Sequence, residues 1–267
     1  MVKFTEICEI FEKFGVDLVG AIPFELVERH LLNTRSRVRI PQNAKSVIIA
    51  VFCYNAGQKP VNIAKYAAVR DYHAVVNSIL ADVGAEILKV NPQVNFAHFA
   101  DASPLPEVHA AQLAGLGVRG KNNLLITEKY GSYINVGSIV LDDELDEYTT
   151  TELKFCENCG ICIKACPTDA LSQTGFNRKL CISDITYKKQ LGAADAAVLK
   201  SQKSVLGCDL CQICCPHNEG VNLTKIKEFY EDVRESYSPD ECQAGRLYGH
   251  IYCNEQIKRN FEVLSED

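Results

Sequence analysis

The spacing of hydrophobic positions changes along the chain, and each change predicts an element. Phe4, Ile7, Cys8, Phe11 and Phe14 recur at helical spacing, predicting a helix over Phe4 to Phe14 with one buried face, ended by Gly15. Asp17 to Ile22 reads as a short strand, and Pro23 opens a second helix that runs through Leu32. Val47-Ile48-Ile49-Ala50-Val51-Phe52, within a strand from Ala44, is a continuous apolar run, expected where both faces of a strand are buried. Tyr66 to Leu88 carries the longest helical pattern, through Tyr72, Val75, Val76, Ile79, Leu80, Val83 and Ile87. Val94 to Ala100 alternates as a strand and delivers Asp101 at its end; a helix from Leu105 to Leu116, a glycine-rich turn through Asn123 and a last strand from Tyr133 to Leu141 follow. Strands interleaved with helices predict a layered α/β domain over residues 1–150. Cys53, closing an apolar strand, reads as a small buried hydrophobe.

After the acidic segment Asp142 to Glu147, read as a solvated turn and domain boundary, cysteine spacing takes over. Cys156, Cys159, Cys162 and Cys166, closed by Pro167, form C-x-x-C-x-x-C-x-x-x-C-P, the bacterial ferredoxin run for 4Fe–4S clusters. Cys208, Cys211 and Cys215, closed by Pro216, form a second run. Three thiolates at this spacing wrap one face of a cubane, and the fourth points at a second cluster. The runs supply seven ligands where two cubanes take eight, and Cys181 is the best candidate for the eighth. One cluster is therefore assigned to Cys156, Cys159, Cys162 and Cys215, the other to Cys166, Cys181, Cys208 and Cys211. Structural zinc would favour paired C-x-x-C sets, not a triple run with two Cys-Pro closures. Residues 151–220 thus read as a ferredoxin-like double-cluster module, and 221–267 as a mostly helical tail. Cys242 and Cys253 lack metal spacing and read as structural or free thiols.

Composition narrows the setting. No apolar run approaches the ~18 residues of a membrane span. Met1 to Ile7 reads as a helix start and not as a cleavable signal. Oxygen-sensitive clusters imply a reducing cytoplasm. The net charge is −6, with 8 basic and 6 acidic residues over Lys154–Gly220 but 6 basic and 10 acidic from Val221 onward. An acidic tail is a weak electrostatic footprint for a phosphate backbone.

Two clusters form an electron wire that must end at a site. Three segments offer one: Arg70-Asp71-Tyr72-His73, Asp101-Ala102-Ser103-Pro104, and the turn through Gly115, Gly117, Gly120, Lys121 and Asn122, whose glycines allow close backbone approach to a ligand. Each also has a structural reading, as an ion-paired helix face, a helix cap and a turn.

These segments and the cysteine runs together resemble the epoxyqueuosine reductases, cobalamin-dependent iron–sulfur enzymes related to reductive dehalogenases. The similarity runs from about Gly15 to Asn218 and includes Leu124-Leu125-Ile126, Tyr130-Gly131-Ser132, Cys181-Ile182-Ser183 and Gly207-Cys208-Asp209-Leu210-Cys211-Gln212. The resemblance implies a nitroreductase-like α/β domain and a corrinoid, cobalamin, held base-off between that domain and the clusters. It implies cofactor contacts from Arg70, Asp71, Tyr72, His73, Ser103, Gly117, Gly120, Lys121 and Asn122, with Asp101 as the proton donor. A carboxyl group serves there if burial raises its pKa towards working pH. The implied partners are an external low-potential electron donor and tRNA. The chain departs from the family at Val118-Arg119, where a tryptophan and an isoleucine are usual, and at His217, where a second tryptophan is usual. It has too few residues after Asn218 for the tRNA-gripping helical repeats of many members. Two other readings stay open on the sequence: the same cofactors acting on a small molecule, and a ferredoxin-like electron carrier without corrinoid.

Overall fold

The computed structural model describes residues 2–240 and 254–265. Its centre is a four-stranded sheet of β1 (Val19–Pro23), β2 (Ser46–Cys53), β3 (Phe96–Ala100) and β6 (Ile134–Leu141) in the order β1-β2-β6-β3. Every pairing is antiparallel, with Ser46 opposite Leu141 and Cys53 opposite Ile134 along the central pair. All eight residues of β2 are buried, as its apolar run predicts. Ile48, Ala50 and Phe52 face one core with α1 (Phe4–Lys13) and α3 (Tyr72–Val90); Val47, Ile49 and Val51 face a second with α2 (Glu25–Glu28) and α4 (Glu107–Leu113). Helices thus cover both faces of an antiparallel sheet, because an apolar run specifies burial and not strand direction.

The boundaries shift where backbone chemistry outweighs apolar spacing. α3 starts at Tyr72, not Tyr66, because the Asp71 side chain accepts the His73 N–H at 2.9 Å and caps the helix. Residues Lys65–Ala68 form a separate 3-10 turn. The helix expected from Pro23 to Leu32 is a single turn, α2. The glycine-rich turn contains a short hairpin, β4 (Val118–Arg119) with β5 (Leu125–Ile126). The acidic segment is more than a solvated turn: Asp146 accepts the Phe4 N–H at 2.7 Å at the start of α1, and Asp142 accepts the Asn95 N–H at 2.7 Å before β3.

The cysteine runs ride on short helices, α5 (Ile161–Ala165), α6 (Ile182–Tyr187) and α8 (Leu210–Ile213), with α7 (Ala193–Gln202) behind them. The segment after Gly220 serves both halves. Ile226 and Phe229, the latter in α9 (Glu228–Glu231), join the α1/α3 core. α10 (Asn254–Ser265) lies on α6 and α7, where buried Asn260 donates to the carbonyls of Thr186 at 3.0 Å and Val205 at 2.8 Å. Cys242 and Cys253 lie outside the described residues.

Candidate redox site

Local turn geometry and the Cys-Pro closures carry the cysteines into two groups. Cys156, Cys159, Cys162 and Cys215 line one small cavity with Lys121, Asn122, Ile126 and His217. Cys166, Cys181, Cys208 and Cys211 line a wall of a second, much larger cavity. The grouping matches the pairing expected from spacing, Cys181 included. Burial and then the charges of neighbouring thiols push up Cys162 and Cys211, and Cys208 is pushed up to about 11 by burial. Thiols crowded this way ionise together only around a polycationic core. Among the described residues no three His, Cys, Asp or Glu converge closely enough for a single metal ion. Each set of four thiols lines a cavity, which fits a cubane. The Lys121 N–H donates to Cys156 Sγ at 3.3 Å, a contact that favours negative charge on the sulfur.

The larger cavity is open to solvent and has a volume of about 630 Å³. Its opposite wall comes from the sheet domain, with Tyr54, Tyr66, Asp101, Asn122, Ser132 and Asn135. The two walls are stitched by amides. Gln212 Nε2 donates to the Ser132 carbonyl at 2.8 Å and lies 3.1 Å from the Tyr54 hydroxyl, while Asn218 Oδ1 accepts the Ser132 N–H at 2.7 Å. Asn135 Nδ2, on the cavity wall, is buried without a hydrogen-bond partner. A wall rich in amides and hydroxyls, with one unmatched donor and the carboxylate of Asp101, fits a large, amide-bearing cofactor such as a corrinoid.

Asp101 sits at the end of β3 in the left-handed region, φ 61°, followed by Ala102 at φ 44°. Two consecutive non-glycine residues there mark strain held by their surroundings. His73 Nε2 lies 3.2 Å from Asp101 Oδ2, and its Nδ1 lies 2.7 Å from Asp71 Oδ1. Burial pulls His73 down, but the hydrogen bonds and charges of Asp101 and Asp71 outweigh it and raise the imidazole to about 9. The same His73 hydrogen bond lowers Asp101. The expected burial-raised carboxyl is therefore not Asp101, whose side chain is 59% exposed. It is Glu107, raised to about 8 by burial and then by the Asp101 charge. Glu107 Oε1 is buried without a hydrogen-bond partner, and the residue lines a pocket with Tyr72, Asp101, Ser132 and Asn135 that adjoins the main cavity.

The other expected cofactor residues divide. Asn122 lines the main cavity and Tyr72 the adjoining pocket. Arg70 instead pairs with Glu231 at 2.8 Å, and Ser103 Oγ accepts the Leu105 N–H at 3.1 Å, ahead of α4. Lys121 faces the first cysteine group, its ammonium donating to the Gln173 carbonyl at 2.6 Å. A Cβ on Gly117 would lie 2.4 Å from the Ile126 carbonyl, and one on Gly120 would lie 2.3 Å from Asn122 Oδ1. The close approach those glycines permit is to the chain itself. Tyr54, Tyr66, Ser132, Asn135 and Glu107 were not singled out from the sequence. Ser132 lies in Tyr130-Gly131-Ser132 and Tyr66 in the Tyr66-Ala67 pair ahead of Arg70, both part of the family resemblance; Tyr54, Asn135 and Glu107 carry no local signature.

Residues 155–218 match the family described as a 4Fe-4S double cluster binding domain, and residues 36–102 match Epoxyqueuosine reductase QueG, DUF1730. With the two cysteine groups and the adjoining cavity, these define an oxidoreductase carrying two 4Fe–4S clusters. The epoxyqueuosine reductase of Leadbetterella byssophila is 30% identical over 227 residues, covering 83% of this chain and 74% of that one. That of Gloeobacter violaceus is 32% identical over 217 residues, covering 79% and 68%. This chain belongs to the epoxyqueuosine reductase family. The solved Streptococcus thermophilus epoxyqueuosine reductase shares the fold, with a TM-score of 0.75 at 23% identity over 97% of this chain and 80% of that one. An epoxyqueuosine reductase solved with an epoxyqueuosine-modified tRNA-Tyr stem loop gives 0.79 at 22%, with the same coverage. Among the described residues no helix is long and apolar enough to cross a membrane.

Proposed function

We propose that this protein deoxygenates epoxyqueuosine in tRNA to queuosine, using two 4Fe–4S clusters and a cobalamin in the main cavity. The observation that carries the reading is the cavity itself. One wall holds Cys166, Cys181, Cys208 and Cys211, and the facing wall holds Asp101. Electrons delivered to the first cysteine group, from an external donor, reach the cavity through the second.

Bound there, a corrinoid would supply strongly reducing low-valent cobalt. Asn122, Ser132, Asn135 and Tyr66 present amides and hydroxyls that would hold it. Removing an epoxide oxygen as water takes an electron pair and a pair of protons. Asp101, ionised at neutral pH, would hand the oxygen a proton only as a relay, taking it from His73. His73, protonated at neutral pH and bonded to Asp101 Oδ2, keeps a proton beside it, and Asp71 holds the ring from its other nitrogen. Lys121, Gly117, Gly120, Arg70 and Ser103 act by positioning the turn and the loop around the site. The division of the chain follows: residues 1–150 bind corrinoid and substrate, 151–220 carry the clusters, and the segment beyond fastens the two together.

Anaerobic reconstitution with iron, sulfide and cobalamin, followed by metal analysis and assay on epoxyqueuosine-containing tRNA, tests the reading. About eight irons and one cobalt per chain, with queuosine formed, are expected. Eight irons with no cobalt would make the protein an electron carrier. Bound cobalt with the tRNA untouched would move the substrate to a small molecule.

A further inference from the structure

The first cysteine group lines its own pocket, which meets the reaction cavity at Asn122. Cys159 is exposed, and Asp101, Tyr66 and Ser132 do not line its pocket. Beside it runs a groove lined by Arg119, Lys121, Asn123, Phe155, Asn158 and Phe176, with the cluster ligand Cys156 in its wall; Asn123 and Phe176 also line the rim it shares with the main cavity. Among the described residues no carboxylate lines the groove, although the chain as a whole is acidic at −6. The nearest acid in the run, Glu157, is engaged by His217 at 2.6 Å. Phe155 is 66% exposed and Phe176 38%, so the groove joins bare aromatic surface to two cations directly beside a cluster ligand.

We propose that this groove is the docking surface for an acidic one-electron carrier protein, with Arg119 and Phe155 as its charged and apolar contacts. The inference rests on the two-cluster reading above and supplies that reading with its partner. Transient redox partners bind through small faces, gaining rate from complementary charge and contact from a few apolar side chains. Arg119 suits the role because its exposed guanidinium sits on β4, while its backbone carbonyl accepts the Cys156 N–H at 3.1 Å. A carrier held on Arg119 is thus held one hydrogen bond from a cluster ligand. The step is a simple transfer: the carrier's centre is oxidised by one electron, the first cluster is reduced by one, and no bond forms or breaks. Cations with exposed aromatics also suit single-stranded RNA, but Cys156 in the groove wall and the exposure of Cys159 favour electron entry here.

The test is stopped-flow bleaching of the reconstituted protein's cluster absorbance, using an acidic flavodoxin in its fully reduced form and, in parallel, dithionite. Arg119→Glu is expected to slow the flavodoxin reaction about tenfold at low ionic strength, the gap closing to about twofold in concentrated salt. Phe155→Ser is expected to slow it at both salt concentrations, and both variants should react with dithionite as the wild type does. Wild-type flavodoxin rates in both variants would overturn the proposal. So would variants that react normally with flavodoxin but bind a tRNA anticodon stem loop more weakly, which would make the groove an RNA track. A wild-type protein without cluster absorbance would overturn the cluster reading, and the docking surface with it.

Discussion

At the scale of single residues, His73 stands between two carboxylates, its Nδ1 toward Asp71 and its Nε2 toward Asp101. The two carboxylates hold the His73 proton to about pH 9, well above the ordinary histidine range, so near neutrality the imidazole is charged and Asp101 is ionised beside it. Asp101→Asn removes the terminal member without altering any cysteine, so absorbance and iron content should persist while turnover falls about 100-fold or more. Undiminished turnover would remove Asp101 from the chemistry. The raised His73 pKa also gives a sign. The pairing stabilises the fold fully below the free histidine pKa and is lost as pH rises through about 9, and the alkaline limb of turnover should follow. Asp71→Asn removes one of the two holding charges, so a pH–rate profile should show that limb displaced to lower pH. Glu107 behaves oppositely to a paired acid. Its folded pKa is raised from 4.5 to about 8, so it favours the fold below the unfolded value and loses that contribution as pH rises towards 8. Melting temperature against pH should therefore decline less steeply across that window in Glu107→Gln than in the wild type. Cys53 has no such role: burial pushes its thiol up to about 12, in keeping with a packed small hydrophobe.

At the scale of elements, the strongest periodic segments were readable and the short ones were not. α1, β2 and β6 emerge close to their expected bounds because each buries a face or two faces large enough to dominate its spacing. α2 and the β4–β5 hairpin are a single turn and two paired dipeptides, too short for any period, and only tertiary contacts hold them. The cysteine groups were legible because ligand spacing is local chemistry. Tyr54, Asn135 and Glu107 were not, because the cavity is made by bringing β2, β6 and α4 towards α6 and α8. The junction that does so depends on Gly131. It sits at φ 56°, and a Cβ there would fall 2.0 Å from Asn218 Oδ1, the acceptor of the Ser132 N–H. Gly131→Ala should thus displace Asn218 and loosen Gln212 from Ser132, destabilising the protein by about 1–3 kcal/mol. Chemical denaturation measures that loss, and an unchanged midpoint would show that the junction yields freely.

For the molecule as a whole, the proposed electron path runs from the surface groove through the first cysteine group and the second to the cavity with Asp101. Each cavity takes cysteines from both runs, Cys215 joining the first set and Cys166 the second, so on the proposed assignment the two cluster sites form together. Cys181 is the least secure ligand on sequence grounds, since it stands outside both runs, and half-buried Cys214 lies beside the first group as a rival thiol. The cavity wall favours Cys181, which shares it with Cys166, Cys208 and Cys211, whereas Cys214 does not line it. Cys181→Ser should consequently retain about four irons, keep a cluster reducible through the surface, and lose turnover because the electron no longer reaches the cavity. Cys214→Ser should retain about eight and turn over normally. Iron analysis with electron paramagnetic resonance of the reduced proteins separates the two, and the reverse pattern would transfer the eighth ligand to Cys214 and break the path from groove to cavity.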